Sequence, residues 1–206
     1  MRFASTWKDS LRGRGESDLE YDCLAGCFCA FRIRNNSITV RKGFFRRKGP
    51  RPSFPLWPGP PLADTYGHKP VLVFEEKPTF AELVILGTFK ADGWDGVWVD
   101  CYRRKYRKEW PSDGEEMPEE REAVLKRIRD RVGGWGGCFD VFCWRSDQVC
   151  FIEAKRHGKD HIRPSQRRWL EAAIQCGVDS TAFLIVEWMP KETARNAVND
   201  HNGLNG

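Results

Sequence analysis

The chain has 206 residues and a formal net charge of +5, with 40% hydrophobic residues and nine Trp. This length fits one domain with additions, and the apolar content is sufficient to bury a core. No apolar run is long enough to cross a membrane, and the first residues lack the apolar stretch of a signal peptide, so we expect a soluble, cytoplasmic protein. The eight cysteines include several within apolar runs, which fits free thiols better than disulfides.

Residues 1–70 are expected to form a smaller N-terminal region with a β-hairpin and a basic, Pro-rich linker. The pattern from Cys27 to Val40 predicts two strands around a turn at Asn35-Asn36. Residues 43–61 are rich in Pro and Arg, which favours a linker or an extended basic loop.

The core is predicted over residues 71–190, with an insertion at about 101–134 and a polar tail over 191–206. Its predicted elements are a short strand at 71–74, a helix at 80–91, a strand at 97–99, a helix at 119–132, strands at 141–144 and 149–152, a helix at 164–175 and a strand at 182–188. This order predicts an α/β fold with a central mixed sheet of about four strands.

Charged residues flank the two strands at 141–144 and 149–152. Antiparallel pairing of these strands would bring the charged residues close together. If the turn centres on Ser146-Asp147, Asp140 falls directly opposite Glu153. Lys155 lies two residues beyond Glu153, so both side chains share one face of the strand. Two like charges opposite each other destabilise a sheet, and a bound cation removes this cost. Mg²⁺ is often held by one or two carboxylates, which predicts a metal site here, although a solvated strand end is the alternative.

Two further polar residues have a structural interpretation from their positions alone. Gln166 lies on the apolar stripe of the helix at 164–175, where its side chain can bond to the helix backbone. Glu82 lies in the first turn of the helix at 80–91, and with Thr79 it has the form of a capping box.

Several motifs together resemble the PD-(D/E)XK nuclease superfamily, and within it the VRR-NUC-like branch. They are Gly137-Cys-Phe-Asp140, Phe151-Ile-Glu153-Ala-Lys155, Lys159-Asp160 and Ser165-Gln166-Arg-Arg-Trp169-Leu170. The resemblance covers residues 79–188 and is strongest over 137–170. The proline that often precedes the first acid in this family is Phe139 here.

The resemblance implies a restriction-endonuclease-like core and a divalent-metal-dependent deoxyribonuclease. Asp140, Glu153 and the backbone carbonyl of Ala154 would bind Mg²⁺ or Mn²⁺, and Glu82, an acid on the first helix, would be a further ligand. Lys155 would position or help deprotonate the attacking water, and Gln166 would be the supporting polar residue of the family.

Basic residues are clustered with aromatic residues, a pattern that indicates a polyanionic partner such as DNA or RNA. One cluster spans residues 41–51. The individual residues expected to bind nucleic acid are Arg103, Arg104, Lys105, Arg107, Lys159, Arg163, Arg167 and Arg168. DNA is therefore the expected partner and no membrane is, while a homodimer is compatible with the sequence.

The alternative function is a nucleic-acid-binding module without catalysis, stabilised by zinc through Cys138, Cys143, His157 and His161. The spacing resembles a zinc-finger pattern, but Cys138 and Cys143 are five residues apart on a strand and should face opposite sides of it. The intact Asp140, Glu153 and Lys155 argue for a catalytic protein instead.

Overall fold

The computed structural model describes residues 27–33, 36–43 and 52–191, and side chains are described from residue 52 onward. The strands are β1 (Cys27–Ile33), β2 (Asn36–Gly43), β3 (Ser53–Pro55), β4 (Leu72–Phe74), β5 (Lys77–Thr79), β6 (Asp95–Asp100), β7 (Lys105–Arg107), β8 (Val141–Arg145), β9 (Gln148–Arg156) and β10 (Phe183–Lys191). The helices are α1 (Ala81–Ala91), α2 (Glu119–Val132) and α3 (Pro164–Gln175).

A mixed sheet with the strand order β1-β2-β10-β9-β8-β6-β7 forms the centre of the fold, which confirms the α/β class. Strand β10 runs parallel to β9, β2 and β3, whereas β9, β8, β6 and β7 are successively antiparallel. The four expected strands are β6, β8, β9 and β10. The sheet is wider than expected because β7 extends one edge while β2 and β3 both pair with β10.

The predicted N-terminal hairpin is present as β1 and β2, with Ile33 opposite Asn36. Asn36 therefore begins β2 rather than occupying the turn. Because β2 pairs with β10, the hairpin lies on the same sheet as the core strands. The predicted basic loop at 43–61 contains β3, while its residues 44–51 lie outside the described residues, as do 1–20 and 192–206.

Apolar side chains cover both faces of the central strands, as expected for strands between helices. The α1 face holds Leu86, Val141 and Ile152, and the α2–α3 face holds Phe142 and Phe151. The Phe142 and Phe151 rings stack with centroids 4.6 Å apart. Burial of one such side chain stabilises a fold by roughly 1.5–3 kcal/mol, so this two-sided core fixes the ends of the strands firmly. Within the described part of the chain, none of the helices is long and apolar enough to span a bilayer.

Candidate metal and phosphate site

The hairpin of β8 and β9 has the predicted register, with Cys143 opposite Cys150 and Arg145 opposite Gln148. Its two-residue turn begins at Ser146, which adopts a φ of 51°. A turn of this length with a left-handed residue matches the twist of the paired strands. The register therefore brings Asp140 and Glu153 to the same edge of the sheet.

Asp140 is held by backbone groups on both sides of it. Its carbonyl oxygen accepts a hydrogen bond from the Val99 amide at 2.7 Å, and its Oδ2 accepts one from the Ala154 amide at 2.9 Å. In an extended strand the N–H and C=O of one residue point to the same side. The Ala154 carbonyl therefore points toward the side of the strand on which Asp140 lies, and the family resemblance implies this carbonyl as a further metal ligand.

Glu153 is the most buried acid of the site, with 1% of the residue exposed. Its Oε1 accepts hydrogen bonds from Lys155 Nζ at 2.6 Å and from Gln166 Nε2 at 2.5 Å. Its Oε2 is buried and lacks a hydrogen-bond partner among the described residues. Burial and the neighbouring Asp140 raise the pKa of Glu153 well above its ordinary value, although Lys155 opposes this shift. A buried polar atom left unpaired costs about 1–3 kcal/mol, which a cation would offset.

Gln166 combines the two interpretations that the sequence left open. Its Oε1 accepts a hydrogen bond from the Arg163 amide at 2.9 Å, which fixes the orientation of the side-chain amide at the start of α3. Its Nε2 is thereby free to donate to Glu153. The hydrogen bond at the N-terminus of α3 thus orients the Gln166 amide toward the Glu153 carboxylate.

Gly137 allows α3 to approach the segment that carries Asp140 and leads into β8. Gly137 has a φ of +87°, and a Cβ atom at this position would lie 2.3 Å from the Ser165 carbonyl oxygen. Only glycine accommodates both the left-handed backbone and this close contact. The packing contact at Gly137 therefore helps to place Gln166 beside Glu153.

The capping box between Thr79 and Glu82 is wrong. Thr79 pairs with Leu72 as the last residue of β5, so α1 begins at Ala81 with Phe80 as its N-cap. Glu82 is instead buried, and its carboxylate forms an ion pair with Lys69. Burial raises the pKa of Glu82, Lys69 lowers it and Asp140 raises it, so Glu82 belongs to the same electrostatic environment as Asp140.

Lys69 is a residue of this site that the sequence analysis did not identify. Burial lowers the pKa of Lys69, but the carboxylates of Glu82, Asp140 and Glu153 outweigh this and raise it. Lys69 lies between β3 and β4, in a stretch without helical or strand periodicity. Sequence patterns therefore give no indication that Lys69 contacts Glu82, which lies 13 residues further along the chain.

Two of the residues predicted to bind nucleic acid are buried or half-buried, and the other six are exposed. Arg107 is 2% exposed and its Nε donates to Asp100 at 2.9 Å, so its assignment to a binding surface is wrong. Arg103 is half-buried and forms an ion pair with Asp64. The remaining predicted residues are exposed, namely Arg104, Lys105, Lys159, Arg163, Arg167 and Arg168. The basic cluster predicted at 41–51 lies outside the described residues from residue 44 onward.

The zinc ligands of the alternative function are not brought together. Cys138 packs in the cluster on the α2–α3 face and Cys143 in the cluster on the α1 face, as their spacing predicted. His157 lies 3.3 Å from a Glu187 oxygen, and His161 is exposed. In the ranges that the structure describes, no three His, Cys, Asp or Glu side chains form a cluster that could hold a metal ion.

The donor set at the sheet edge nevertheless fits a hard divalent ion that keeps several waters. Two carboxylates and a backbone carbonyl are oxygen ligands of the kind that Mg²⁺ binds, with the remaining positions left to water or phosphate. The buried Glu153 oxygen provides a position for such an ion, because no donor among the described residues hydrogen-bonds to it while Glu153 and Asp140 are both ionised. Asp140, Glu153 and the Ala154 carbonyl are the residues that would hold it.

Comparisons of this chain with known protein families, curated proteins and solved structures find no match. The residues of the site and their geometry therefore supply the argument for function.

The raised pKa values predict how stability depends on pH. A carboxyl group whose pKa is higher in the folded state binds its proton more tightly there, so stability falls as pH rises above the ordinary value of 4.5. Without divalent metal, we expect the melting temperature to fall as the pH rises above about 5, and the double variant Glu153→Gln/Glu82→Gln to show a flatter profile. Differential scanning fluorimetry measures this, and an equal slope in the double variant would contradict it.

Proposed function

We propose that the protein is a metal-dependent phosphodiesterase. More specifically, we infer a deoxyribonuclease with a PD-(D/E)XK-like core that hydrolyses DNA phosphodiester bonds with Mg²⁺ or Mn²⁺. The observation that carries this proposal is Glu153, a buried carboxylate beside Asp140 that shares one oxygen with Lys155 and Gln166. Such a group is costly for folding alone, and perturbed acids of this kind are concentrated at functional sites.

The residues of the site supply complementary parts of the chemistry. A bound divalent ion would lower the pKa of a water and neutralise charge on the phosphoryl oxygens. Lys155 lies at the sheet edge, where its ammonium group can orient the attacking water and stabilise negative charge that develops on the phosphate. Gln166 holds the Glu153 carboxylate in one orientation, which preserves the arrangement of the acids before substrate binds.

The exposed basic residues near α3 fit a DNA backbone. Arg163, Arg167 and Arg168 are exposed at the start of the helix that contributes Gln166, and Lys159 lies on the preceding loop. Phosphate contacts of this kind release counterions, so binding is expected to weaken steeply with salt. Arg104 and Lys105 are exposed at the β6–β7 turn, which follows the strand that bonds to Asp140.

Digestion of a panel of labelled DNAs tests the proposal. Duplex, flap, junction and single-stranded substrates are incubated with Mg²⁺, with Mn²⁺ and with a chelator. We expect metal-dependent cleavage of at least one substrate by the wild type, and a loss of about a hundredfold or more in Lys155→Met, comparable with removal of one transition-state donor.

Lys126→Met is the matched control, because Lys126 is exposed on α2 and pairs only within that helix in the described structure. Binding of the same substrates, measured by fluorescence anisotropy, separates loss of catalysis from loss of affinity. DNA binding without cleavage by the wild type under every metal condition would favour a binding protein and contradict the nuclease proposal.

A further inference from the structure

Lys69 is built into the acidic site from a segment outside the core motifs. Its ammonium group forms an ion pair with Glu82 and lies 5.4 Å from the ring centroid of Trp98 and 5.8 Å from that of Tyr66. A lysine over two aromatic rings is attracted to their faces as well as to the carboxylate. The side chain is 39% exposed, so its ammonium group can be reached from solvent.

The segment that carries Lys69 is fixed to the end of β6. Tyr66 donates a hydrogen bond from its hydroxyl to Asp100 Oδ2 at 2.6 Å, and the Lys69 amide donates to the Thr65 carbonyl at 2.8 Å. The Tyr66 ring also packs against Phe80 and Trp98, with centroids 5.3 and 5.1 Å away. Lys69 is thus a positioned group rather than a surface lysine that meets Glu82 by chance.

The two lysines of the site contact different acids. Lys155 binds Glu153 at 2.6 Å, and Lys69 binds Glu82. With Asp140, three ionised carboxylates and two ammonium groups carry one net negative charge in the site. One divalent ion and one phosphodiester group bring this charge to zero, so the ammonium group of Lys69 supplies at Glu82 the positive charge that a second divalent ion would otherwise bring.

We propose that Lys69 takes the position of a second metal ion, so that the site binds a single divalent ion at Asp140 and Glu153. Glu82 is then a positioning residue that holds Lys69 toward the phosphate of the substrate, and it is not a metal ligand. This inference rests on the proposed function, because it assigns the charges that surround the reacting phosphate.

The number of Mn²⁺ ions bound per chain tests the inference without any measurement of activity. Isothermal titration of Mn²⁺ into DNA-free protein is expected to give about one ion in the wild type and about two in Lys69→Met, because Glu82 is then free to bind a second metal ion, as in two-metal sites. The double variant Lys69→Met/Glu82→Gln should return to about one ion, since the second ligand is lost. Lys69→Arg should keep the wild-type number, because the positive charge is retained.

Lys77→Met is the matched control, since Lys77 is an exposed lysine on β5, close in sequence to α1. Circular dichroism confirms that each variant is folded. Two ions in the wild type, or no additional ion in Lys69→Met, would overturn the inference while the proposed function stands. No Mn²⁺ binding in the wild type or in any variant would overturn both.

Discussion

Replacement of Glu153 by glutamine is expected to lower the rate of metal-dependent DNA cleavage by at least about a thousandfold. The substitution keeps the shape of the side chain but removes the negative charge that would bind the ion beside Asp140. Loss of several kcal/mol of charge stabilisation corresponds to this factor, since each change of about 1.36 kcal/mol alters a rate about tenfold. Single-turnover cleavage of the best substrate with saturating Mg²⁺ measures the effect.

The same substitution should leave the fold intact and raise the melting temperature in metal-free buffer above about pH 5, because the folded state keeps a proton on Glu153 that the unfolded chain releases. The gain arises because a neutral amide is buried more easily than a carboxylate with an unpaired oxygen. Asp147→Asn is the matched control, because Asp147 is exposed in the turn of the same hairpin and Asn suits such a turn equally well. Cleavage by Glu153→Gln at the wild-type rate would refute the role of this carboxylate.

The sequence predicted the parts of the site that depend on local periodicity. The register of β8 and β9 follows from a two-residue turn and an alternating pattern, so Asp140 and Glu153 could be placed opposite each other in advance. The bounds of α2 and α3 follow from apolar spacing and, for α3, from the proline at its first position. Gln166 could be placed near the acids for the same reason.

Contacts between distant segments were not predictable from these patterns. Arg107 belongs to a run of basic residues, yet it is buried because Asp100 at the end of β6 accepts its hydrogen bond. A buried acid at the end of an apolar strand is a signal that a cation is required nearby, although it does not identify which one. Lys69 and Glu82 are 13 residues apart and meet because β4 and β5 form a hairpin before α1.

The Thr79 capping box failed for a related reason. The motif Thr-x-x-Glu describes a favourable helix start, but Thr79 is paired with Leu72 and is extended in β5. Tertiary pairing thus moved the helix start by one residue, which left the Glu82 side chain available to Lys69. Local propensity and tertiary contact compete at such boundaries, and here the strand pairing prevails.

Gly137→Ala is expected to destabilise the protein by about 3 kcal/mol and to lower the melting temperature by roughly 10 °C. The new methyl group would lie 2.3 Å from the Ser165 carbonyl, and the backbone would keep a φ of +87° that alanine disfavours. Relief of this contact requires α3 to move away from the strand of Asp140. A shift approaching about 1 Å in Gln166 is expected to lower the cleavage rate about a hundredfold in addition.

Two nearby glycines separate the causes of this effect. Gly133 has a similar φ of +83°, but no described atom lies within 4 Å of its added Cβ, so Gly133→Ala should show only the backbone cost of about 1–2 kcal/mol. Gly136→Ala meets an equally open environment and should be nearly neutral. If Gly137→Ala proved as mild as Gly133→Ala and retained full cleavage, close packing of α3 against this loop would not be what places Gln166.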